Sequence, residues 1–166
     1  MRRCALLALS AGLSPVRVVI GAYAAEVRQA LAGLPVEIVE NPDWEQGQST
    51  SVRVGLHGLP EEVGGALFLL ADQPYVSVGV VQALLQAHAS NMTPIVAPRV
   101  GDQRANPVLF DRVTFPDLLQ LQGDTGGRAV ILSGRFRVQW LDWLDRWLLE
   151  DIDTPDDFTR LARGKP

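Results

Sequence analysis

The stretch Ala-Leu-Phe-Leu-Leu-Ala-Asp-Gln-Pro, residues 66–74, decides the fold class of this chain of 166 residues. A short apolar run that stops at Asp72, with Pro74 just beyond it, predicts a strand that is buried on both faces of a parallel sheet. An aspartate at the carboxyl end of such a strand lies where open α/β sheets bind ligands, and it can hold a divalent cation beside phosphate oxygens. Asp72 can equally cap the helix that follows Pro74.

Strand-like and helix-like stretches alternate on both sides of this run. Strands are predicted at 16–20, 36–40 and 95–97, and helices at 1–11, 22–32, from Ser49 or Thr50 to about 57, 78–88, 117–121 and 128–132. This alternation predicts βαβ units and an α/β fold with a mostly parallel sheet covered by helices on both faces. Between 137 and 149 the pattern fits either one helix or two strands.

Composition narrows the class of protein. A net charge of −4 without a basic cluster argues against a nucleic-acid partner, and no apolar run approaches the ~20 residues of a membrane span. Cys4 is the only cysteine, so we expect no disulfide framework and a cytoplasmic setting. The length predicts a single domain over 1–166. If the segment 137–149 is a helix, one of its faces carries Trp140, Trp143 and Trp147. Exposure of that face would indicate a homodimer contact.

Polar clusters fall at the ends of the predicted elements. Residues 47–51 suit a base, a ribose or a phosphate, and residues 123–128 suit a phosphate or a pterin. Residues 101–107 suit an anionic substrate through Arg104. Each of these clusters is equally well explained as an ordinary cap or turn. Asp151 and Asp153 would point the same way on an extended segment, where they can meet Asp72 across a metal ion. Thr154, which follows them, is predicted to cap a last helix.

Five motifs in this order resemble the MobA-like nucleotidyltransferases, and most of all the molybdenum cofactor cytidylyltransferase branch. They are residues 41–44 with 47–51, 71–74, 104–110, 123–128 and 151–157. The resemblance implies a Rossmann-like three-layer (αβα) fold and transfer of CMP from CTP to a molybdopterin-type cofactor, with release of pyrophosphate and a requirement for Mg²⁺. It also implies delivery to a molybdoenzyme of the xanthine dehydrogenase type.

The resemblance also implies a role for particular residues. Asp72 and Asp153 match the catalytic aspartates that hold the metal. The nucleotide would be lined by Gly21, Gly47, Gln48, Ser49, Ser51 and Asp72. The other substrate would be lined by Gln73, Pro74, Arg104, Asn106, Pro107, Gly123, Asp124, Gly126 and Arg128.

The chain departs from the family at its start. Family members open with a strand and a loop of the type Leu-Ala-Ala-Gly-x-Ser-x-Arg-Met-Gly-x-x-Lys, which residues 9–17 imitate only superficially. Residues 18–22 match the family's second strand instead, and Lys165 is the only lysine. We therefore expect a fold that lacks the first strand and the strongest phosphate contacts. Two rival functions stay open: guanylyl or other nucleotidyl transfer to a different phosphorylated acceptor, and non-catalytic binding and delivery of molybdenum cofactor.

Overall fold

The computed structural model describes residues 1–152 together with 154, 156, 157 and 159. The helices are α1 (Arg2–Ser10), α2 (Ala24–Leu31), α3 (Gln48–Leu56), α4 (Val78–Asn91), α5 (Phe115–Leu118) and α6 (Arg128–Leu132). The strands are β1 (Arg17–Ile20), β2 (Glu37–Glu40), β3 (Gly65–Phe68), β4 (Ile95–Val100), β5 (Gln103–Arg104), β6 (Val108–Asp111) and β7 (Val138–Asp142). Short 3₁₀ turns lie at Trp44–Gln46, Arg112–Thr114 and Arg146–Leu149.

Local signals in the sequence place most helix ends correctly. Gly12 and Gly33 follow α1 and α2 with φ angles of 78° and 79°, a conformation that favours glycine and stops a helix. Ser77 is the N-cap of α4, and its side chain accepts a hydrogen bond from the amide of Val80. These ends confirm the helices predicted from periodicity.

One predicted cap is wrong and another is confirmed. The N-cap of α3 is Gly47, whereas Ser49 and Thr50 lie buried inside the first turn, because a contact with a distant loop fixes where this helix begins. Thr154 does cap as predicted. Its hydroxyl accepts from the amide of Asp157, while the Asp157 carboxylate accepts from the amide of Thr154, which is a reciprocal capping box.

The core forms three layers, because successive residues of the central strand β4 face opposite helices. Ile95 and Ala97 belong to a buried cluster with residues of α3, α5 and α6. Val96 and Val100 belong to a second cluster with residues of α4. The alternation follows from the two-residue period of a strand, and it confirms the predicted α/β architecture with helices on both faces of the sheet.

The strand directions correct the expectation of a mostly parallel sheet. Two pairs, β1–β2 and β4–β7, are parallel. Three pairs, β3–β6, β4–β6 and β4–β5, are antiparallel, so the larger sheet, which contains these strands and β7, is mixed. The cause is the turn at 101–102, which folds the chain back after β4 and leads into β6 between β3 and β4. The short strands β5 and β6 were not predicted as strands.

The described strands form two separate sheets. β1 and β2 form a two-stranded sheet, and β3 lies at one edge of a separate five-stranded sheet. All four residues of β3 are only half-buried, which differs from the predicted burial on both faces. The difference arises because one edge of β3 borders an open cavity.

The ambiguous segment 137–149 begins as a strand and not as a helix. β7 pairs with β4 along Val138–Asp142, and a hydrogen bond from the Arg99 guanidinium holds the pKa of the Asp142 carboxyl below its ordinary value. Trp140 and Trp143 pack against different clusters, so the predicted single tryptophan face does not form. Within the described part of the chain, no helix is long and apolar enough to cross a membrane.

Candidate functional site

A cavity of about 1070 Å³ lies between β1 and β3, with α1 and α3 along its sides. Its volume is at the upper end of the about 300–1,000 Å³ that is usual for ligand pockets. Polar residues from three of the predicted clusters line it: Gln48, Ser51, Asp102, Gln103, Arg104, Asn106 and Arg128. Residues expected on the nucleotide side and residues expected on the substrate side therefore share one opening.

The start of α3 is joined to the loop 123–128. The amide of Gln48 donates a hydrogen bond to Oδ1 of Asp124 at 3.2 Å, and the amide of Ser49 donates to the carbonyl of Gly123 at 3.3 Å. A carboxylate at this position also interacts favourably with the helix dipole. The two clusters that were predicted as separate ligand contacts thus form one unit, in which these two amides already have protein acceptors.

Two glycines permit this close approach. A Cβ on Gly47 would lie 2.7 Å from the backbone of Asp124, and a Cβ on Gly126 would lie 2.1 Å from the side-chain oxygen of Gln48. Gly47 also has φ 107° and ψ 174°, a region that is essentially restricted to glycine. Gly47 and Gly126 are therefore explained by packing between the two loops.

We expect the Gly47→Ala substitution to lower the free energy of unfolding by about 2–3 kcal/mol, because strain of the backbone adds to the clash with Asp124. Gly58→Ala is the matched control, since Gly58 has φ 67° but nothing within 4 Å of its Cβ position, and it should cost only about 1 kcal/mol. Urea unfolding of both variants measures the difference. Equal losses would show that the contact between the loops contributes nothing.

Asn41 orients the cavity residue Ser51, a role that the sequence interpretation missed. The Asn41 side chain is 2% exposed, and its Nδ2 donates to the hydroxyls of Thr50 at 2.8 Å and Ser51 at 2.9 Å. Its Oδ1 accepts from the amide of Asp43. The sequence signal was an asparagine before proline, which indicates a turn but does not indicate burial.

The segment that begins at Asp72 contacts the acidic segment near the end of the chain, as the metal hypothesis requires. The amide of Ile152 donates to the backbone carbonyl of Asp72 at 2.9 Å. Nε2 of Gln73 donates to Oδ1 of Asp151, also at 2.9 Å. Asp153, the second predicted metal ligand, lies outside the described residues.

The donor set near Asp72 fits a hard divalent cation. Asp72 is exposed, and Mg²⁺ is usually held by one or two carboxylates together with substrate phosphates and water. The described residues contain no cluster of three or more His, Cys, Asp or Glu side chains that would form a cage made of protein alone. A cation at Asp72 would therefore need further oxygen ligands from a bound phosphate group or from water.

The Cys4 thiol on α1 is close enough to Asp72 to interact with its charge. Burial raises the pKa of the Cys4 thiol, the charge of the N-terminus opposes this shift, and the Asp72 carboxylate adds to it. The thiol therefore stays protonated at neutral pH, which agrees with the prediction of a small core residue and not a nucleophile.

Two guanidinium groups give the cavity an anion-binding character. Arg104 on β5 and Arg128 at the start of α6 both line it, and neither has an ion-pair partner among the residues that the structure describes. Asn106 lies beside Arg104 in the lining, whereas the next residue, Pro107, is buried behind it. Arginines suit the oxygens of phosphate and carboxylate groups, which supports an anionic ligand.

The remaining predicted residues lie outside the cavity wall. They are Gly21, Gly47, Ser49, Asp72, Gln73, Pro74, Pro107, Gly123, Asp124 and Gly126. Gly21 packs against Trp44, and a Cβ there would lie 2.5 Å from that side chain. Ser49 Oγ and Gln73 Oε1 are buried and have no hydrogen-bond partner within the part of the chain that the structure describes, which makes both atoms candidates for contact with a ligand or water.

The layered core and the arginine-containing cavity define an α/β protein with a site for an anionic ligand, and the family match gives its class, a nucleotidyltransferase. Residues 1–138 match the MobA-like NTP transferase domain, and the chain belongs to that family. The resemblance found in the sequence motifs is confirmed by this match.

Similar proteins agree with the assignment. The chain is 34% identical over 125 residues to the purine catabolism protein PucB of Bacillus subtilis. The aligned region is 74% of this chain but only 59% of PucB. It is also 30% identical over 160 residues to nicotine blue oxidoreductase of Paenarthrobacter nicotinovorans. That aligned region is 92% of this chain and 78% of the relative. Among solved structures, the manganese complex of Rv0371c from Mycobacterium tuberculosis H37Rv has a TM-score of 0.84 at 29% identity, covering 98% of this chain and 85% of Rv0371c.

Proposed function

We propose that this protein transfers CMP from CTP to a molybdopterin-type molybdenum cofactor and releases pyrophosphate, using Mg²⁺. The cavity carries this proposal, because it combines Gln48 and Ser51 with Arg104, Asn106 and Arg128 in one opening. The first two belong to the motif expected to line the nucleotide. The other three belong to the motifs expected to face the cofactor.

The reaction needs positioning and charge neutralisation more than it needs a protein nucleophile. An oxygen of the acceptor forms a bond to the α-phosphorus of CTP, while the bond from that phosphorus to the departing pyrophosphate breaks in line. Arg104 and Arg128 would neutralise phosphate charge from the cavity wall. The hydroxyl of Ser51, which Asn41 holds in place, can donate to an oxygen of the nucleotide.

Asp72 is the described residue that would hold the metal, together with the acidic segment that contains Asp151 and Asp153. A bound divalent cation would offset the negative charge of the triphosphate. The manganese complex of Rv0371c supports a divalent cation in proteins of this fold. The choice of Mg²⁺ is part of the proposal.

The name of PucB, a purine catabolism protein, is compatible with a recipient of the xanthine dehydrogenase type, because xanthine is a purine. That partner, a homodimer and a single domain over 1–166 stay predictions.

Calorimetric titration with CTP and with GTP, each with and without Mg²⁺, tests the nucleotide half of the proposal. We expect CTP with Mg²⁺ to bind at least about tenfold more tightly than GTP, which corresponds to about 1.4 kcal/mol. Equal affinities, or no binding by a chain that circular dichroism shows to be folded, would contradict cytidylyl transfer. Tighter binding of GTP would favour guanylyl transfer.

An assay of pyrophosphate release tests the acceptor half. With CTP and Mg²⁺ present, we expect release only when molybdenum cofactor is added, because the acceptor oxygen must come from the cofactor. Binding of the cofactor without any release, and unchanged by the double substitution of Asp72 and Asp153 by alanine, would favour the delivery protein instead.

A further inference from the structure

A second opening of the molecule is lined mainly by residues of α3 and of the small sheet that β1 and β2 form. It is a cleft of about 550 Å³, which is within the about 300–1,000 Å³ that is usual for ligand pockets. Its lining consists of two arginines, a histidine and three apolar residues: Arg17, Arg53, His57, Val39, Val54 and Leu119. In the part of the chain that the structure describes, no carboxylate lines this space, which we call the second cleft. The lining therefore carries positive charge in a chain whose net charge is −4.

The period of α3 separates the second cleft from the nucleotide cavity. Gln48, Ser51 and Gly55 line the nucleotide cavity, and they follow one another at spacings of three and four residues. Arg53 and His57, which are four residues apart, line the second cleft. Because residues three or four positions apart lie on the same face of a helix, these two sets lie on opposite faces of α3. A ligand in the second cleft therefore does not occupy the nucleotide cavity.

Arg17 is a structural part of the wall of the second cleft. Its Nε and Nη2 bond to the carboxylate of Glu37 at 3.0 and 2.9 Å. Its Nη1 donates to the carbonyls of Gly55 and His57 at 3.1 and 2.7 Å, which satisfies acceptors at the end of α3. All three nitrogens of this guanidinium thus have protein partners, so another group must bind a ligand.

Arg53 is the cation that is available to a ligand. Its Nη1 donates to the carbonyl of Leu121 at 3.1 Å, which orients the guanidinium. Its Nε and Nη2 have no hydrogen-bond partner among the described residues, and these two donors form one edge of the planar guanidinium. Such an edge binds two oxygens of a phosphate or carboxylate group at once. The exposed His57 adds a ring donor on the same face of α3.

The rest of the lining is apolar and suits the body of an organic molecule. Val39 and Val54 are half-buried, and Leu119 is 42% exposed although it is a large aliphatic side chain. A ligand with an aromatic or aliphatic body would remove this surface from water, which is favourable in proportion to the apolar area that is covered. An inorganic anion would leave the same surface exposed.

We propose that the second cleft binds a small organic anion. Its phosphate or carboxylate group bonds to Arg53, and its apolar body covers Val54 and Leu119. Arg53 supplies the charge and the paired donors, while the apolar wall distinguishes an organic anion from an inorganic one. The site is separate from the nucleotide cavity, so the inference does not depend on the proposed function.

Titration of the ¹⁵N-labelled chain with phenyl phosphate, followed by amide chemical shifts, tests the proposal without nucleotide. The amides of Val39, Val54 and Leu119 report on the second cleft, and those of Gln48 and Arg128 report on the nucleotide cavity. Inorganic phosphate and benzyl alcohol each offer half of the required chemistry, and both should bind to the second cleft at least about fivefold more weakly than phenyl phosphate. Shifts at the nucleotide cavity alone, or equal affinities of phenyl phosphate and inorganic phosphate, would overturn the proposal.

The charge requirement is tested by replacing Arg53 with glutamine. We expect Arg53→Gln to lower the affinity of the second cleft for phenyl phosphate at least about tenfold, because hydrogen bonds to a charged group are lost. Arg3→Gln is the matched control, since Arg3 is an exposed arginine on α1 that lines neither opening. A loss of the same size in both variants would show that only the overall charge attracts the anion, and this would overturn the proposal.

A second variant keeps the test decisive if loss of the bond from Arg53 to Leu121 unfolds Arg53→Gln. Leu119→Ala should weaken the binding of phenyl phosphate by about threefold and leave the binding of inorganic phosphate unchanged, because only the organic ligand covers this side chain. Leu132→Ala is its control, since Leu132 is 64% exposed and lines neither opening. An unchanged affinity of Leu119→Ala for phenyl phosphate, or equal losses in the two leucine variants, would contradict the proposed site.

Discussion

Replacing Asp72 with asparagine is expected to lower the affinity for CTP in the presence of Mg²⁺ by about 10–100-fold. The substitution keeps the size of the side chain and removes the charge that a hard cation requires, and even indirect changes around a bound metal commonly cost that much. The contact with Ile152 uses the backbone carbonyl of Asp72, so the junction with the acidic segment is retained. Calorimetry with and without Mg²⁺ measures the effect.

The sign of the effect should reverse when Mg²⁺ is removed. Without the cation, the Asp72 carboxylate repels the triphosphate, so the Asp72→Asn variant should bind CTP slightly better than the natural chain. Glu61→Gln is the matched control, because Glu61 is an exposed carboxylate in the turn before β3 and outside the cavity lining. A loss of the same size in both variants, or the same loss with and without Mg²⁺, would rule out Asp72 as a metal ligand.

Replacing Phe110 with alanine is expected to lower the free energy of unfolding by about 3–5 kcal/mol, which is typical of a buried phenylalanine. Phe110 lies on β6, between β3 and β4, and is 1% exposed. Its ring packs edge-on against Phe68 with 5.4 Å between centroids. Gly127 lies directly against the same ring, since a Cβ there would be 2.8 Å away. Loss of the ring would therefore leave a cavity beneath the start of α6.

Urea unfolding at 25 °C measures this loss. Val113→Ala is the control, because Val113 lies three residues away and is 56% exposed, and it should change stability by less than about 0.5 kcal/mol. A loss below about 1 kcal/mol for Phe110→Ala would mean that the packing around β6 does not stabilise the fold as the structure indicates.

Prediction from the sequence succeeded where the signal was local. Periodicity placed α4, and Ser77 identified its start, because a serine cap acts within one turn of its own helix. It failed at β5 and β6. The strand β5 has two residues among the turn-forming residues 101–107, and β6 has four residues directly after them, so too few residues carried a two-residue period for a strand to be recognised.

The candidate site was also predicted only in part from the sequence. Motif spacing identified Gln48, Ser51, Arg104 and Arg128, which the structure brings to one cavity. Asn41 is part of the first motif but was given no role, because an asparagine in a turn has the same sequence context whether its side chain is exposed or, as here, buried and bonded to two hydroxyls.

By itself the sequence determined the α/β class and the family resemblance, since both depend on which residues are present and on their spacing. Only the tertiary structure decided that Gln48 meets Asp124 and that β1 and β3 line one cavity. The physical reason is that these contacts join residues far apart in the chain. Their geometry depends on how helices and strands pack, and no local pattern encodes that packing.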